Sequence, residues 1–352
     1  FSAISSDGRW IVYETMATNL NGSDEAYQSY IMIYDVQTGQ TERLGEAFGI
    51  ADDFANSGGA YISSDGRYVS FSSGADGLIA ADTNGRSDVF VFDRQEGVLE
   101  MVSITSNGLP SNANSYSGPI SGDGRYVLFV SDADNLVPED TNQLLDLFVY
   151  DRQTGQLKCV NVTPEGVPGN GSGWGYDISE DGRYIVFQSS ASNLVLGDTN
   201  NQADIFLYDQ QTNSVTRVSV ALDGTEADSS SNSPAISGDG RYVFYSSSAS
   251  NLVEGDDNNM TDLFMYDMQT GDTRVISNLD VPVTTDFPGF SIGSPGSSYD
   301  GRFVTFQTNY DNLVPGDTNN HDDIFVYDTL TGEMDRVSLT YDGQQVNDIV
   351  FG

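Results

Sequence analysis

Short apolar runs alternate along the chain with clusters of Gly, Asp, Asn and Ser, and no stretch carries the three-and-four apolar spacing of an amphipathic helix. Tyr126-Val127-Leu128-Phe129-Val130 and Leu147-Phe148-Val149-Tyr150 are β-branched and aromatic runs bounded by turn residues, which predicts strands. Asp123-Gly124 is a tight-turn dipeptide. Asp151-Arg152-Gln153-Thr154-Gly155 is a second turn leading into Leu157-Lys158-Cys159-Val160. With Gly118-Pro119-Ile120-Ser121 ahead of the first turn, one unit of the pattern predicts four strands, A to D.

The unit recurs. Asp-Gly-Arg begins at Asp7, Asp65, Asp123, Asp181, Asp239 and Asp300, an even spacing that lengthens slightly only at the last step. An aliphatic-aromatic-Asp signature follows each at one constant offset, ending at Asp35, Asp93, Asp151, Asp209, Asp267 and Asp328. The 352 residues exceed the about 100–200 of one ordinary core, and repetition accounts for the excess. Six units of four antiparallel strands predict an all-β fold, a six-bladed β-propeller closed into a ring. It spans 1–352 as one domain, with repeats beginning near residues 1, 59, 117, 175, 233 and 294. Gly108, Gly166 and Gly224 stand at the same distance before Asp123, Asp181 and Asp239, and joining Gly352 to Phe1 would put Gly343 at nearly that distance before Asp7, so one full circle is expected. Val346 to Phe351 is expected to form a strand, pairing with blade 1 or with another copy.

The pattern Ile-Ser-x-Asp-Gly-Arg-Tyr-Val-x-Phe, followed by Asp-Ile-Phe-Val-Tyr-Asp and x-Thr-Gly-x-x-x-Arg-Val-Ser, resembles the TolB-like or WD-like six-bladed propeller repeats of bacterial periplasmic and secreted proteins. The resemblance covers all six copies and implies the same fold. Function in that family ranges from protein docking to domains attached to peptidases, so the fold alone does not assign one.

The most chemically suggestive segment lies between strands B and C. Asp-x-Asn-x-x-x-Asp occurs as Asp82/Asn84/Asp88, Asp140/Asn142/Asp146, Asp198/Asn200/Asp204, Asp256/Asn258/Asp262 and Asp317/Asn319/Asp323, each at the same offset from its turn Asp. Oxygen side chains at positions 1, 3 and 7 of a tight loop suit a hard cation such as Ca²⁺, which takes about 6–8 oxygens. The loop resembles the opening of an EF-hand without its helices. Asp93, Asp151, Asp209, Asp267 and Asp328 stand at position 12 but at the far end of a strand, so they are expected to cap the C–D turn. Further oxygens are expected from the position-5 carbonyl, from Asn135, Asn193, Asn251 and Asn312, and from water; Gly77 holds that leading place in blade 2. Blade 1 has Asp24, Ala26 and Tyr30 at the aligned positions, so no ion is expected there. Asp and Asn also punctuate ordinary solvated turns, but five loops in fixed register, each with two mutually repelling carboxylates, favour bound calcium at about five ions per chain.

Charge fits this expectation. Lys plus Arg is 14 against 52 Asp plus Glu, a formal charge of −38, which excludes a protein that holds nucleic acid or an anionic bilayer by its surface field. Cys159 is the single cysteine and His321 the single histidine, so disulfide frameworks and His-rich metal sites are excluded. No apolar run approaches the roughly 18–20 residues needed to span a bilayer. The chain opens at Phe1 without a signal-like stretch, as a processed product or a piece of a longer protein would.

Catalytic motifs are weak. Gly289-Phe290-Ser291-Ile292-Gly293 has the letters of a nucleophile elbow but not the strand-to-helix context. His321 lies inside the fifth loop. Lyase-like members of the resembled family use imidazole and metal at the pore, and no His here matches them. Carboxylate pairs for glycoside cleavage remain open among 52 acids. Arg9, Arg67, Arg125, Arg183, Arg241 and Arg302 could form an anion-binding ring, but pairing with the acidic C–D turns is the simpler expectation. Their Ser-x-Asp-Gly run also resembles the structural Asp-box turns of sialidase propellers.

The D–A connections differ between blades and bring in Phe48 and Phe54, Tyr116, Trp174 and Tyr176, and Phe287 and Phe290. Tyr116, Trp174, Tyr176 and Phe290 are expected either to bind a protein or glycan partner on the B–C/D–A face or to plug the channel mouth. These readings converge on a non-catalytic, calcium-stabilised propeller outside the cytoplasm, acting as a binding or assembly module. The alternatives are a glycan-binding or glycan-cleaving propeller, or a structural subunit of a surface layer or filament assembled through the C-terminal strand.

Overall fold

In a computed structural model of the protein, residues 2–17, 29–49, 57–75, 77–138, 140–256, 258, 260–277, 293, 295–310, 313–319 and 321–346 are described. They form six four-stranded antiparallel sheets, each with its strands paired in chain order, and the fold class is the all-β six-bladed propeller expected. Blade 3 is representative, with strands Ser115–Ile120, Tyr126–Ser131, Asp146–Asp151 and Gln156–Cys159. Among the described residues the only helical element is a 3-10 turn, Glu46–Phe48. The chain divides into two compact units, Phe1–Trp174 with Glu180–Gly182 and Gly175–Ser179 with Arg183–Gly352, and each is described by itself.

Strand C explains the continuous apolar runs. Asp146–Asp151 is covered on both faces, so Leu147, Phe148, Val149 and Tyr150 are all buried rather than alternating in and out. A phenylalanine of strand C stacks across the ladder on an aromatic ring of strand B in five blades. The pairs are Phe71/Phe90, Phe129/Phe148, Phe187/Phe206, Tyr245/Phe264 and Phe306/Phe325, with centroids 5.4–5.8 Å apart. In blade 1 the corresponding pair is Tyr13 opposite Met32.

The turn tripeptides join neighbouring blades. In the first unit Ser6 N–H donates to Ser64 O, Ser64 N–H to Gly122 O, and Gly122 N–H to Glu180 O, at 2.9–3.1 Å. The aromatic after the turn Arg of blades 1 to 5 lies on the turn glycine of the next blade; in the first unit Trp10 lies on Gly66, Tyr68 on Gly124 and Tyr126 on Gly182. The second unit repeats this with Tyr184 on Gly240 and Tyr242 on Gly301. Gly124 has φ of 72°, and a β-carbon there would run into the Tyr68 ring, so two independent constraints require glycine.

Several sequence expectations fall outside the described residues: Asp24 and Ala26, Phe54, Phe287, Phe290, Asn312, most of Gly289–Gly293, and the latch beyond Val346. Of that latch, Val346 is seen to accept a hydrogen bond from Asn319 Nδ2 at 2.9 Å.

Candidate metal-binding loops

Each B–C loop is positioned by strand C, whose first residue is the loop's second aspartate. Those residues, Asp88, Asp146, Asp204, Asp262 and Asp323, are buried. A residue just past strand D donates to each at 2.5–2.8 Å: Ser103, Asn161, Ser219, Ser277 and Ser338. The first aspartates, Asp82, Asp140, Asp198, Asp256 and Asp317, are buried too, 5–9% exposed. Two carboxylates per loop are therefore taken largely out of water. Burial first, and then the neighbouring Asp204 charge, push Asp198 up to about 6. Burial likewise pushes Asp146 up to about 6 and raises Asp88, Asp140 and Asp204.

The asparagines are differently disposed from the sequence expectation. Asn142 Oδ1 accepts the backbone N–H of Leu144 at 2.7 Å, and its Nδ2 donates to Asp146 Oδ2 at 2.9 Å and Gly169 O at 3.0 Å. Asn84, Asn200, Asn258 and Asn319 turn the same way, with Nδ2 on the second aspartate at 2.7–3.3 Å. Their oxygens are engaged by the backbone of the loop, so the amides brace it. The leading asparagines are also braces: Asn135 spans Asn112 N–H and Pro110 O, and Asn251 spans Asp228 N–H and Glu226 O. The oxygens this geometry leaves for a cation are the aspartate carboxylates, loop carbonyls and water. Among the described residues no group of three or more carboxylate, imidazole or thiol side chains is arranged to hold a metal.

Two residues that sequence reasoning missed stand in these loops. Arg217, at the end of strand Ser214–Arg217, has Nη1 3.5 Å from Asp198 Oδ1, 3.5 Å from Asp204 Oδ2 and 3.1 Å from Glu226 Oε1. Arg336 has Nη1 3.1 Å from Asp317 Oδ1 and 3.5 Å from Asp323 Oδ2. The signal was the Arg-Val-Ser at the end of strand D, in the same register to the second aspartate in both blades.

The turn arginines are structural, as expected. All six pair with the Asp ending strand C at 2.6–3.0 Å. The same aspartates accept turn N–H groups, for example Gln95 N–H on Asp93 at 2.9 Å, so they cap the C–D turn. His321 is half-buried, its N–H on Asn319 Oδ1. On the D–A connections, Phe48 packs edge-on against Phe92 with centroids 5.9 Å apart and covers Gly97. Tyr116 and Trp174, 47% and 37% exposed, hold the second position of strand A in consecutive blades. Tyr176 is half-buried. Those connections also carry short two-stranded bridges, such as Ile104 with Pro110 and Val162 with Pro168, that were not apparent in the sequence.

No protein-family model and no curated protein matches this chain. Solved structures do. TolB from Acinetobacter baumannii is 16% identical over 94% of this chain and 63% of its own, with a TM-score of 0.48. This chain thus spans less than two thirds of that protein's length. The putative TolB from Agrobacterium tumefaciens is 13% identical over 91% and 92% of the two chains, at 0.50. The β-propeller domain of the Trilobed protease from Pyrococcus furiosus is 15% identical over 96% and 81%, at 0.55. Similarity at this level concerns the fold, and the fold is that of a TolB-like six-bladed β-propeller.

Proposed function

We propose that this chain is a non-catalytic binding or assembly module that works outside the cytoplasm and is stabilised by Ca²⁺. The observation that carries the reading is the set of five loops, each with two buried carboxylates brought to one end of strand C. A divalent cation there removes their repulsion and supplies the charge that burial otherwise withholds. Two carboxylates with carbonyls and water make weak sites. Dissociation constants of about 10⁻⁴–10⁻³ M match extracellular modules. The likeness of the fold to TolB supports an extracellular or periplasmic setting. No helix among the described residues is long and apolar enough to cross a membrane.

The partner surface is the face of the B–C loops and D–A connections, where the blades differ from one another and where Tyr116 and Trp174 are exposed. Exposed aromatics supply large contact area at small entropic cost. The first test is thermal: millimolar CaCl₂ raises the melting temperature and chelator lowers it, because an ion that binds only the folded state stabilises it by mass action. Melting curves that coincide in calcium and in chelator overturn the calcium part of the reading.

A further inference from the structure

In all six blades the residue after the strand-C aspartate donates its N–H to the carbonyl of that blade's turn arginine, at 2.7–2.9 Å. In blades 2 and 3 this residue is itself an arginine, and it reaches back to the preceding blade. Arg94 lies over the Trp10 ring at 4.0 Å, with Nη2 3.7 Å from Glu42 Oε1. Arg152 lies over the Tyr68 ring at 4.3 Å, with Nε 2.9 Å from Glu100 Oε2. Each of these junctions is therefore closed by an arginine of one blade and a strand-D glutamate of the other.

The junction of blades 5 and 6 is built differently. Thr329 stands in the arginine's place, and its hydroxyl donates to Gly301 O at 3.0 Å, as Arg152 Nη1 donates to Gly124 O at 2.7 Å. Strand D of blade 5 has Arg274 in the place of Glu42 and Glu100. Its Nη2 donates to Thr329 O at 3.0 Å and meets Met265 Sδ at 3.5 Å. No carboxylate among the described residues pairs with it, whereas the turn arginines of both blades hold theirs.

A threonine for an arginine also leaves room. A cavity of about 450 Å³ lies here, with Tyr242, Met265 and Leu330 among its apolar walls and Asp272, Arg274 and Asp300 among its polar ones. Leu330 is 76% exposed.

Arg274 calls for a carboxylate, which can meet a guanidinium in two parallel hydrogen bonds. Asp300 does not compete for it, since Ser298 Oγ–H and Arg302 N–H already donate to that carboxylate at 2.7 and 3.1 Å. Asp272 and the chain's charge of −38 oppose a run of acids. The guest that fits is one acid on an apolar segment, its carboxylate on Arg274 and its neighbours on Tyr242 and Leu330. Aromatic and arginine side chains are the residues that protein interfaces favour. We propose that a partner protein inserts a single glutamate into this cavity, supplying from outside the acid that Glu42 and Glu100 supply from within. The proposal rests on the reading of the chain as a binding module and adds a second contact face, that of the A–B and C–D turns.

The test uses the intact chain and blocked peptides in which one glutamate, or one glutamine, is flanked by leucines, with binding followed by NMR titration. The glutamate peptide binds and the glutamine peptide does not. Arg274→Met weakens binding about tenfold or more, as loss of a hydrogen bond between charged groups requires, and leaves the melting temperature unchanged. Arg274→Glu together with Thr329→Arg rebuilds the pair found between blades 2 and 3, fills the cavity and abolishes binding with the fold intact. If that double variant does not fold, Arg274→Met decides alone. A glutamate peptide that does not bind, binds no better than its glutamine counterpart, or binds Arg274→Met equally well overturns the proposal. Sodium glucuronate binding more tightly than the peptide would make this a site for acidic sugars and overturn the protein partner. Failure here leaves the calcium reading standing, since the melting curves test that separately.

Discussion

Arg125 and Asp151 meet as a planar fork, Nε on Oδ1 at 2.9 Å and Nη2 on Oδ2 at 2.7 Å, with the guanidinium carbon 4.7 Å from the centre of the Tyr126 ring. The fork joins the A–B turn to the C–D turn; the other five blades repeat the ion pair, in blade 6 with both Arg302 nitrogens on Asp328 Oδ2. The Arg125 hydrogen bond comes first among the causes that hold the Asp151 carboxyl down at about 2. A carboxylate depressed in the fold contributes stability above its ordinary value near 3.8, and that stability is lost as pH falls through about 2. Acid titration followed by circular dichroism should show cooperative loss of fold in this window. Arg125→Met should flatten the acid dependence and lower the neutral-pH melting temperature by a few degrees; a titration identical to wild type would mean the fork carries no pH-linked stability.

Asp177 predicts the opposite slope. Its Oδ1 accepts Ile178 N–H at 2.8 Å and its Oδ2 accepts Ile236 N–H at 3.0 Å, tying strand A of blade 4 to that of blade 5. Burial pushes it up to about 6. Between about pH 4 and 6 the folded state binds more protons than the unfolded one, so this group's contribution falls as pH rises. Asp177→Asn should remove that slope and cost about 1–3 kcal/mol, because the amide nitrogen cannot accept and one of the two N–H groups loses its acceptor. Urea melts across this pH range, with slopes compared between variant and wild type, check the sign.

Gly124 and Gly108 both have positive φ, 72° and 80°, but only Gly124 has an aromatic ring against it. Gly108→Ala should cost about 1–2 kcal/mol for the left-handed conformation alone. Gly124→Ala adds overpacking against Tyr68, about 1–3 kcal/mol more. Equal losses in denaturant melts would show that Tyr68 moves aside freely.

Trp174 and Tyr116 are exposed, so replacing both by Ala should leave the melting temperature within about a degree of wild type. Immobilised wild-type chain and double variant can be compared for capture of cell-envelope proteins and of arrayed glycans. Capture lost with the fold intact supports a contact surface, and which arm responds separates the protein partner from the glycan. A large drop in melting temperature with capture intact would assign the rings to packing.

Blades, turns and the Arg–Asp forks were legible because every residue involved keeps a fixed register to Asp-Gly-Arg, and an even repeat spacing exposes any such register. The loops were legible as carboxylate clusters for the same reason. The direction of Asn142 was not, since an amide carries donor and acceptor on one carbon, and only Leu144 N–H and Gly169 O fix which faces Asp146. Arg217 was hidden differently. It is one turn and one strand removed from Asp204, and its role depends on pairing opposite Phe206, a relation that exists only once the ladder forms.

The aromatic-on-glycine contacts give the blade array a direction. In blades 1 to 5 the turn offers a ring toward the following blade, and in blades 2 to 6 it offers a bare glycine toward the preceding one, so the two sides of a blade are complementary but not alike. A fragment cut between blades would carry an uncovered ring at one end and an uncovered glycine at the other. Such heterologous ends can satisfy each other only head to tail, and so truncated chains of this protein should join in series or close on themselves, and not pair face to face as two-fold dimers.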